Sequence, residues 1–436
     1  MKDLARLEHV VVLQLENRSF DHVFGGMSRE DPTLDVDLEF TNSDHAGRMH
    51  PMLAMSDELA GVFPDGPGHS STSIDRQIAG GSMSGFIRDF QDSYPRWEEP
   101  EVVMHYLTER HQPISYFFAR EYTVLQRFFP SIATGTLPNR FYGLCGQSGG
   151  ERDNSMVRQL FLDLPHIFDL VPHDQWAVYS GAFPTIALVG GIGELVTCRK
   201  NFRRITTFLE QARTGALPRL SWIEPVYSWS SNPVLKKFRV PEGPQNDDHP
   251  PSHTAHAQLL LWDVYKALLE DPERWSKTLL IVNYDEHGGF ADHVPAPRIP
   301  DADVGLDGIR WMAPRVPAWL ISPFAPRAGR NNTQFDHCSV LRFLADVFGV
   351  QRLGRAASAN TRSIADALLD EPRAEPCPQP PNPPAQPRGG IELPLGDLGP
   401  VIANYLETLE REDPEGARVL RDNLSALTFA RSPRAC

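Results

Sequence analysis

The stretch Leu279-Leu280-Ile281-Val282-Asn283-Tyr284-Asp285-Glu286-His287-Gly288 decides the fold. Its first four residues are purely apolar, which reads as a short buried strand. That strand delivers two carboxylates and an imidazole to its C-terminal end. In open α/β sheets, ligands bind at that edge. Residues 10–15 repeat the pattern, mostly apolar and ending in Glu16-Asn17. Two strands that end in hard oxygen donors point to one metal site assembled from distant parts of the chain.

Further strand-like runs cover residues 176–179, 220–223 and 318–321, besides 279–284. Helical patterns lie between them. Residues 253–269 carry a broad apolar face in Leu259, Leu260, Trp262, Val264, Leu268 and Leu269, and Asp271-Pro272 stops it. A second helix is expected over 339–347. Strands alternating with helices predict an α/β fold with a mostly parallel sheet covered on both sides. Segment 31–83 is polar, aperiodic and rich in Gly, Ser, Asp and Pro, and reads as a long loop or insertion near the site. Segment 372–387 holds eight prolines and reads as a polyproline-like strap. The expected division is a catalytic domain over 1–370, the strap over 371–390 and a helical tail over 391–436. There is no internal repeat.

Lys and Arg number 42 against 56 Asp and Glu, a net charge of -14. This argues against nucleic acid or an anionic membrane as the main partner. An anionic substrate stays compatible, because a metal inverts the local field. A hydrophobic share of 41% is ample for a large core. No apolar stretch approaches the roughly 18 residues that span a bilayer. Residues 1–8 are charged and carry no signal-peptide pattern. Cys145, Cys198, Cys338, Cys377 and Cys436 are odd in number and form no CxxC pair. A cytoplasmic enzyme with reduced thiols and no stable membrane anchoring is the expectation. Oligomeric state is not legible.

Four blocks carry chemistry. Glu16-Asn17-Arg18-Ser19-Phe20-Asp21 offers a carboxylate and an amide oxygen to a hard cation, with helix capping by Asn17 or Ser19 as the plain alternative. In Thr134-Gly135-Thr136-Leu137-Pro138-Asn139-Arg140, Pro138 marks a helix start. Thr136 then lies just before an N-terminus that favours an anion. Its hydroxyl is a candidate nucleophile if a metal lowers its pKa. Ser131 and Thr134 are rivals, and a simple N-cap is the plain alternative. Asn246-Asp247-Asp248-His249-Pro250-Pro251 presents a loop histidine suited to general acid work or phosphate contact. Asp285-Glu286-His287-Gly288-Gly289 places adjacent carboxylates behind a strand too apolar for the surface, and a cation answers that charge. Gly288-Gly289 lets the backbone turn tightly. His287 and His293 supply further imidazoles, and His69 lies in the long segment within reach of such a site. His337 is expected to orient a neighbour or cap the next helix.

In order, these blocks resemble the bacterial phospholipase C / acid phosphatase (phosphoesterase) family of the alkaline phosphatase superfamily, collinearly over about residues 7–350. The resemblance rests on Glu16 to His22, Met83-Ser84-Gly85-Phe86, Leu137-Pro138-Asn139-Arg140, Asn246 to Pro250, Tyr284 to Phe290, Asp292-His293-Val294 and Phe335-Asp336-His337. It implies an alkaline-phosphatase-like three-layer sandwich with a mixed, mostly parallel sheet. It implies one divalent metal ion (Mg, Mn, Ca or Zn) held by Glu16, Asn17, Thr136, Asp285 and Glu286. Thr136 matches the family's Ser/Thr nucleophile, and a phosphothreonine intermediate follows. His69 and His249 match the family's phosphate-contacting histidines, and His249 is the candidate acid for the leaving group. Asn17, His69, His249 and His287 are the expected substrate contacts. A further phosphate-site histidine of the family has only His166 and His173 as candidates here.

The chain departs from the family in having Thr134-Gly135-Thr136 where the family has Gly-Pro-Thr. The additional C-terminal β-domains of the phospholipase members and a leader are not seen. On those grounds hydrolysis of a small phosphorylated substrate, a soluble phosphomonoester such as a nucleotide or sugar phosphate, is favoured. A phospholipase C-type phosphodiesterase, or a biosynthetic enzyme working on a phosphorylated or phosphonate metabolite, is the alternative.

Overall fold

The computed structural model describes residues 6–57, 66–154, 164–181, 184–185, 198–227, 237, 245–385, 398–418 and 420–421. Its centre is an eight-stranded sheet. In chain order the strands are β1 (His9–Leu15), β2 (Thr123–Leu125), β3 (Trp176–Ser180), β4 (Phe202–Arg204), β5 (Leu220–Glu224), β6 (Thr278–Tyr284), β7 (Ala318–Ile321) and β8 (Arg330–Asn331). The spatial order is β8-β2-β7-β6-β1-β5-β3-β4. Strands β6, β1, β5, β3 and β4 run parallel, β7 is antiparallel to both its neighbours, and β8 is parallel to β2. The sheet is mixed and mostly parallel, as expected.

The two central strands are β1 and β6. Their sequences, HVVVLQL and TLLIVNY, are rich in β-branched and apolar side chains. All seven residues of β6 are buried. The pairing runs from His9 opposite Thr278 to Leu15 opposite Tyr284. Because the strands are parallel and in step, Glu16 emerges beside Asp285, and Asn17 beside Glu286. On the other flank of β1, Leu13 pairs with Ile223, so β5 ends on Glu224 at the same edge.

Eight helices matter here: α1 (Phe20–Ser28), α2 (Ser71–Ile78), α3 (Phe86–Ser93), α4 (Pro113–Glu121), α5 (Thr136–Cys145), α6 (Ile205–Thr214), α7 (Thr254–Leu269) and α8 (His337–Phe348). Helices α4 and α6 both pack against α7, and α5 packs against α8. With the sheet between them they complete a three-layer sandwich. The α7 start is set by His253, whose ring accepts from the Ala255 amide. Helix α8 begins two residues earlier than its pattern suggests, because Asp336 and Ser339 form a reciprocal cap. Its first residue, His337, bonds through Nε2 to the Tyr284 carbonyl at 3.0 Å, so it ties the end of β6 rather than capping.

Segment 31–83 is less bare than expected. It holds α2 and a small antiparallel pair, Thr41–Ser43 with Met49–Pro51, while residues 58–65 lie outside the described residues. Helix α2 escaped the sequence pattern because only Ile74 and Ile78 mark its apolar face, one turn apart. The proline-rich segment runs along α7 in its described part. Trp262 Nε1 donates to the Pro381 carbonyl at 3.0 Å and the Tyr265 hydroxyl to the Pro378 carbonyl at 2.8 Å. The tail contains one helix, Leu398–Glu412, followed by a helical turn over 414–418; residues 386–397 and those beyond 421, Cys436 included, lie outside the described residues. Among the described residues no helix is long and apolar enough to cross a membrane.

Ile281 lies mid-strand in β6 at 1% exposure, whereas Leu306 is 86% exposed. Ile281→Ala is expected to cost about 2–5 kcal/mol, and Leu306→Ala no more than about 0.5 kcal/mol. Urea denaturation of both variants checks this difference.

Candidate functional site

The site forms where β6, β1 and β5 end side by side. Glu16, Asn17, Thr136, His69, His249, Asp285, Glu286 and His287 are all buried, none more than 8% exposed. Charges there act in a weakly screening medium.

One guanidinium spans the three strand ends. Arg140 Nε lies 3.1 Å from Asp285 Oδ2, Nη2 3.0 Å from Glu16 Oε1, and Nη1 3.5 Å from Glu224 Oε2. Burial opposes its charge, but the surrounding Tyr227, Asp285, Glu16 and Glu224 hold its pKa above the ordinary value. Arg140 comes from α5, four residues after Thr136. Positions four apart share one helix face, so Thr136 lies on the Arg140 face of α5, one turn nearer the helix start.

Thr136 is the first residue of α5, with Gly135 as N-cap, rather than the residue before the helix. The expected open helix terminus is partly closed. The Leu137 amide donates to Asn154 Oδ1 at 2.9 Å, a residue the sequence reading missed. Asn139 fixes the approach to Thr136: its Nδ2 donates to the carbonyls of Ile132, Thr134 and Gly135, and its Oδ1 accepts from the Ile132 amide. The three hydroxyls of this loop differ in their surroundings. Ser131 Oγ donates to Asp336 Oδ2 at 3.1 Å. Thr134 Oγ1 donates to the Arg152 carbonyl. Thr136 Oγ1 is buried and has no hydrogen-bond partner among the described residues.

The adjacent carboxylates are unequal. Asp285 Oδ1 accepts from its neighbour's amide, Glu286 N, at 2.6 Å and from Asn17 N at 3.3 Å, while Oδ2 faces Arg140. Burial raises its pKa and Arg140 pulls it back. Glu286 Oε2 accepts from the Gly288 amide at 2.7 Å, and Oε1 has no partner. Burial, opposed by His69 and reinforced by Asp285, pushes the Glu286 carboxyl up to about 8. Asn17 adopts φ 61°, and neither its Oδ1 nor its Nδ2 finds a partner. This tight turn needs glycine opposite it. Gly288, at φ 64°, could carry a Cβ only 2.3 Å from the Asn17 carbonyl oxygen.

The histidines approach from two loops. His69 Nδ1 contacts the Pro67 carbonyl at 2.8 Å, and His249 Nδ1 contacts the Pro250 carbonyl. A carbonyl only accepts, so Nδ1 carries the hydrogen in both rings and Nε2 is the exchangeable position. The rings meet edge to face with centroids 5.9 Å apart, and both act electrostatically on Glu286. The His249 loop is pinned to the sheet: the Glu16 amide donates to the Asp247 carbonyl at 2.7 Å, and Asp247 Oδ1 accepts from the His249 amide. Asp248, at φ 74°, takes the Tyr284 hydroxyl at 2.6 Å, and its carbonyl takes Arg18 Nε at 3.0 Å. Asp247 and Asp248 therefore hold the loop.

His287 differs from its expected role as a substrate contact. Gln77 donates its amide nitrogen to Gly68 O and Asp89, so its oxygen accepts from His287 Nε2 at 2.8 Å. Burial, and then His69, drive the His287 pKa well below 6.5. The ring is neutral, and its one N–H is committed to Gln77. Phe86, after the close-packed Gly85, meets the same ring edge-on at 6.2 Å. Neither candidate for the further histidine points here. His166 caps the short helix Ile167–Leu170, and His173 precedes the start of β3, at the opposite end of the sheet.

A second acidic group, Asp21, Asp292 and His293, has ligand atoms close enough for a metal. Arg315 fills it instead, at 2.8 Å from Asp21 Oδ1 and 2.8 Å from Asp292 Oδ1, and His293 Nδ1 sits 2.7 Å from Asp21 Oδ2. It is an ion-pair cluster that fastens α1 to the segment after β6. Two residues at the main site went unassigned in the sequence: Arg140, quoted without a role, and Glu224, the acid that ends β5. The repeated pattern of an apolar run closed by an acid was the signal for Glu224.

A model described as the Phosphoesterase family matches residues 7–351. Non-specific phospholipase C1 of Arabidopsis thaliana is 30% identical over 406 residues, covering 86% of this chain and 73% of its own length. Phospholipase C B of Mycobacterium tuberculosis is 29% identical over 405 residues, covering 80% and 74%. A solved structure titled as a protein in the alkaline phosphatase superfamily from Vibrio parahaemolyticus is 11% identical with a TM-score of 0.30, covering 58% of this chain and 64% of that one. The family match includes every site residue named above, and the chain belongs to the Phosphoesterase family, as a hydrolase acting on phosphoric ester bonds.

Proposed function

We propose that this hydrolase is metal-dependent, works through Thr136 and cleaves phosphodiesters of the phospholipase C type. The observation that carries the reading is the Thr136 hydroxyl. It is buried and unpartnered, while Ser131 and Thr134 spend theirs on other groups. It also shares a helix face with Arg140, which touches Glu16 and Asp285.

The residues fit a divalent cation. Asn17 Oδ1, Thr136 Oγ1 and Glu286 Oε1 are buried oxygens without partners, and such groups are costly unless something satisfies them. Three carboxylates, Glu16, Glu224 and Asp285, meet one guanidinium, and Glu286 is buried beside Asp285, an acidic grouping that a cation offsets. Glu16, Asn17, Thr136, Asp285 and Glu286 would hold the ion. When bound, it supplies positive charge that lowers the pKa of a hydroxyl and offsets phosphoryl charge. Oxygen donors suit Mg, Mn or Ca, and the adjacent histidines keep Zn open.

In this reading the Thr136 hydroxyl gives its proton to solvent, and its Oγ1 bonds to phosphorus as the bond to the alcohol breaks, which gives a phosphothreonine. The alcohol departs with the proton from His249 Nε2; the same nitrogen then takes a proton from the incoming water, whose oxygen bonds to phosphorus and displaces Thr136 Oγ1. His69 Nε2 and the Asn17 amide contact phosphoryl oxygens. His287 is a positioning residue, held neutral between Gln77 and Glu286. The preference for phosphomonoesters rested on the ends of the chain. The relatives align across the site and carry phospholipase C names, so the diester is the reading adopted. We also assign catalysis to residues 1–370, followed by a proline-rich strap over 371–390 and a helical tail over 391–436, of which 386–397, 419 and 422–436 lie outside the described residues. Cys145, Cys198, Cys338 and Cys377 as thiols support a reducing compartment.

Thr136→Ala is expected to lower kcat by several orders of magnitude, about 10³-fold or more, while Ser131→Ala and Thr134→Val retain most activity. Parallel turnover of p-nitrophenyl phosphorylcholine and p-nitrophenyl phosphate tests the substrate class, and faster monoester turnover overturns the diester reading. The raised carboxyls give a pH signature. Glu286 binds its proton up to about pH 8 and Asp247 up to about pH 7 in the folded chain, against ordinary values near 4 when unfolded. The folded state holds more protons through that window, so chelator-treated protein loses stability as pH rises from about 4 to about 8. Thermal melts with and without Mn²⁺ should show this loss, its reduction in Glu286→Gln, and its reversal by the metal.

A further inference from the structure

We infer that Arg140, held in place by Glu224, is a positioning residue that sets how Glu16 and Asp285 are presented; the inference rests on the metal-dependent reading above. Glu224 is itself no ligand. Its Oε1 accepts from Thr185 Oγ1 at 2.6 Å and Trp222 Nε1 at 3.1 Å, and its Oε2 accepts from the Tyr227 hydroxyl and faces Arg140 Nη1. Every acceptor site that points inward is taken. What Glu224 does is hold one arm of the guanidinium, while the Tyr227 ring lies 5.3 Å from the guanidinium carbon. Gripped from that side, the planar fork has two nitrogens left, one for each neighbouring strand end.

Two consequences follow from the geometry. Glu16 and Asp285 each give one oxygen to Arg140. Asp285 Oδ1 also accepts two amides. Both carboxylates are thereby held in fixed orientation, and part of their charge is offset. In addition, Arg140 belongs to α5, so the helix that carries Thr136 is tied to the strand ends that carry the acids. Moving the helix without breaking three buried ion contacts is not possible. Second-layer partners of this kind typically change metal affinity by about 10–100-fold when removed.

The experiment measures Mn²⁺ affinity and stoichiometry by calorimetry on the full chain, with thermal melts and steady-state kinetics beside it. Glu224→Gln keeps size, and removes the charge that grips Arg140 together with one accepting oxygen. Arg140→Lys keeps the charge and removes the fork. Both are expected to bind one Mn²⁺ about tenfold or more weakly, with kcat reduced and KM within about twofold of the parent. Tyr227→Phe, which keeps the ring and drops one donor to Glu224, should fall between. If Arg140→Lys does not fold, Glu224→Gln and Tyr227→Phe decide. Unchanged Mn²⁺ affinity in Glu224→Gln overturns the inference while Glu286→Gln, tested alongside, still loses binding. If the parent itself binds no Mn²⁺, the metal-dependent reading fails instead.

Discussion

Everything at the site depends on the in-step parallel pairing of β1 with β6. A parallel ladder brings residues of equal height to the same edge. Here it sets Glu16-Asn17 beside Asp285-Glu286, although nearly 270 positions separate them in the chain. A slip of one residue would send each side chain to the opposite face. The apolar sequences of both strands, buried on both sides, leave little tolerance for such a slip. The register is therefore a packing decision with a chemical result: acids that repel one another are delivered to one buried place. The core supplies the stability that allows this cost.

Arg140 is the first answer to that cost. A guanidinium is suited to it because it is planar, permanently charged and forked. It meets three carboxylates, and Glu286, beyond its reach, is raised by burial first and by Asp285 after it. The loops around the edge follow the same logic of over-determination. Asn139 ties down the hydroxyl-rich loop through four hydrogen bonds. Tyr284 and Arg18 tie down the His249 loop, and Gly288 lets Asn17 pack against the turn after Glu286. Each tether starts on a core strand or a buried helix.

The fold was largely legible because its signal is composition along short runs. Residues 10–15, 176–179, 220–223, 279–284 and 318–321 stand out as apolar blocks, and each became a strand within one residue at either end. Helix α2 was not legible, since two isoleucines make a faint pattern in a polar segment. The convergence of Glu16, Asn17, Asp285 and Glu286 could be read from strands that end in acids. The part played by Arg140 could not, because an arginine one turn into a helix reads as solvent-facing until the helix is known to be wholly buried. The commitment of His287 to Gln77 was equally hidden. It depends on a partner 210 positions away, and on which way that partner's amide points.

The saturation of Ser131 and Thr134 has a consequence for chemical selectivity. Three alcohols within six residues of a phosphate-handling centre invite modification of the wrong one. Two of them are already donors in buried bonds, so their lone pairs are turned aside and their protons are not easily released. With Thr136 as the proposed nucleophile, discrimination among near-identical groups would be built in by occupancy, not by distance, and would keep dead-end adducts off the neighbouring hydroxyls without extra bulk.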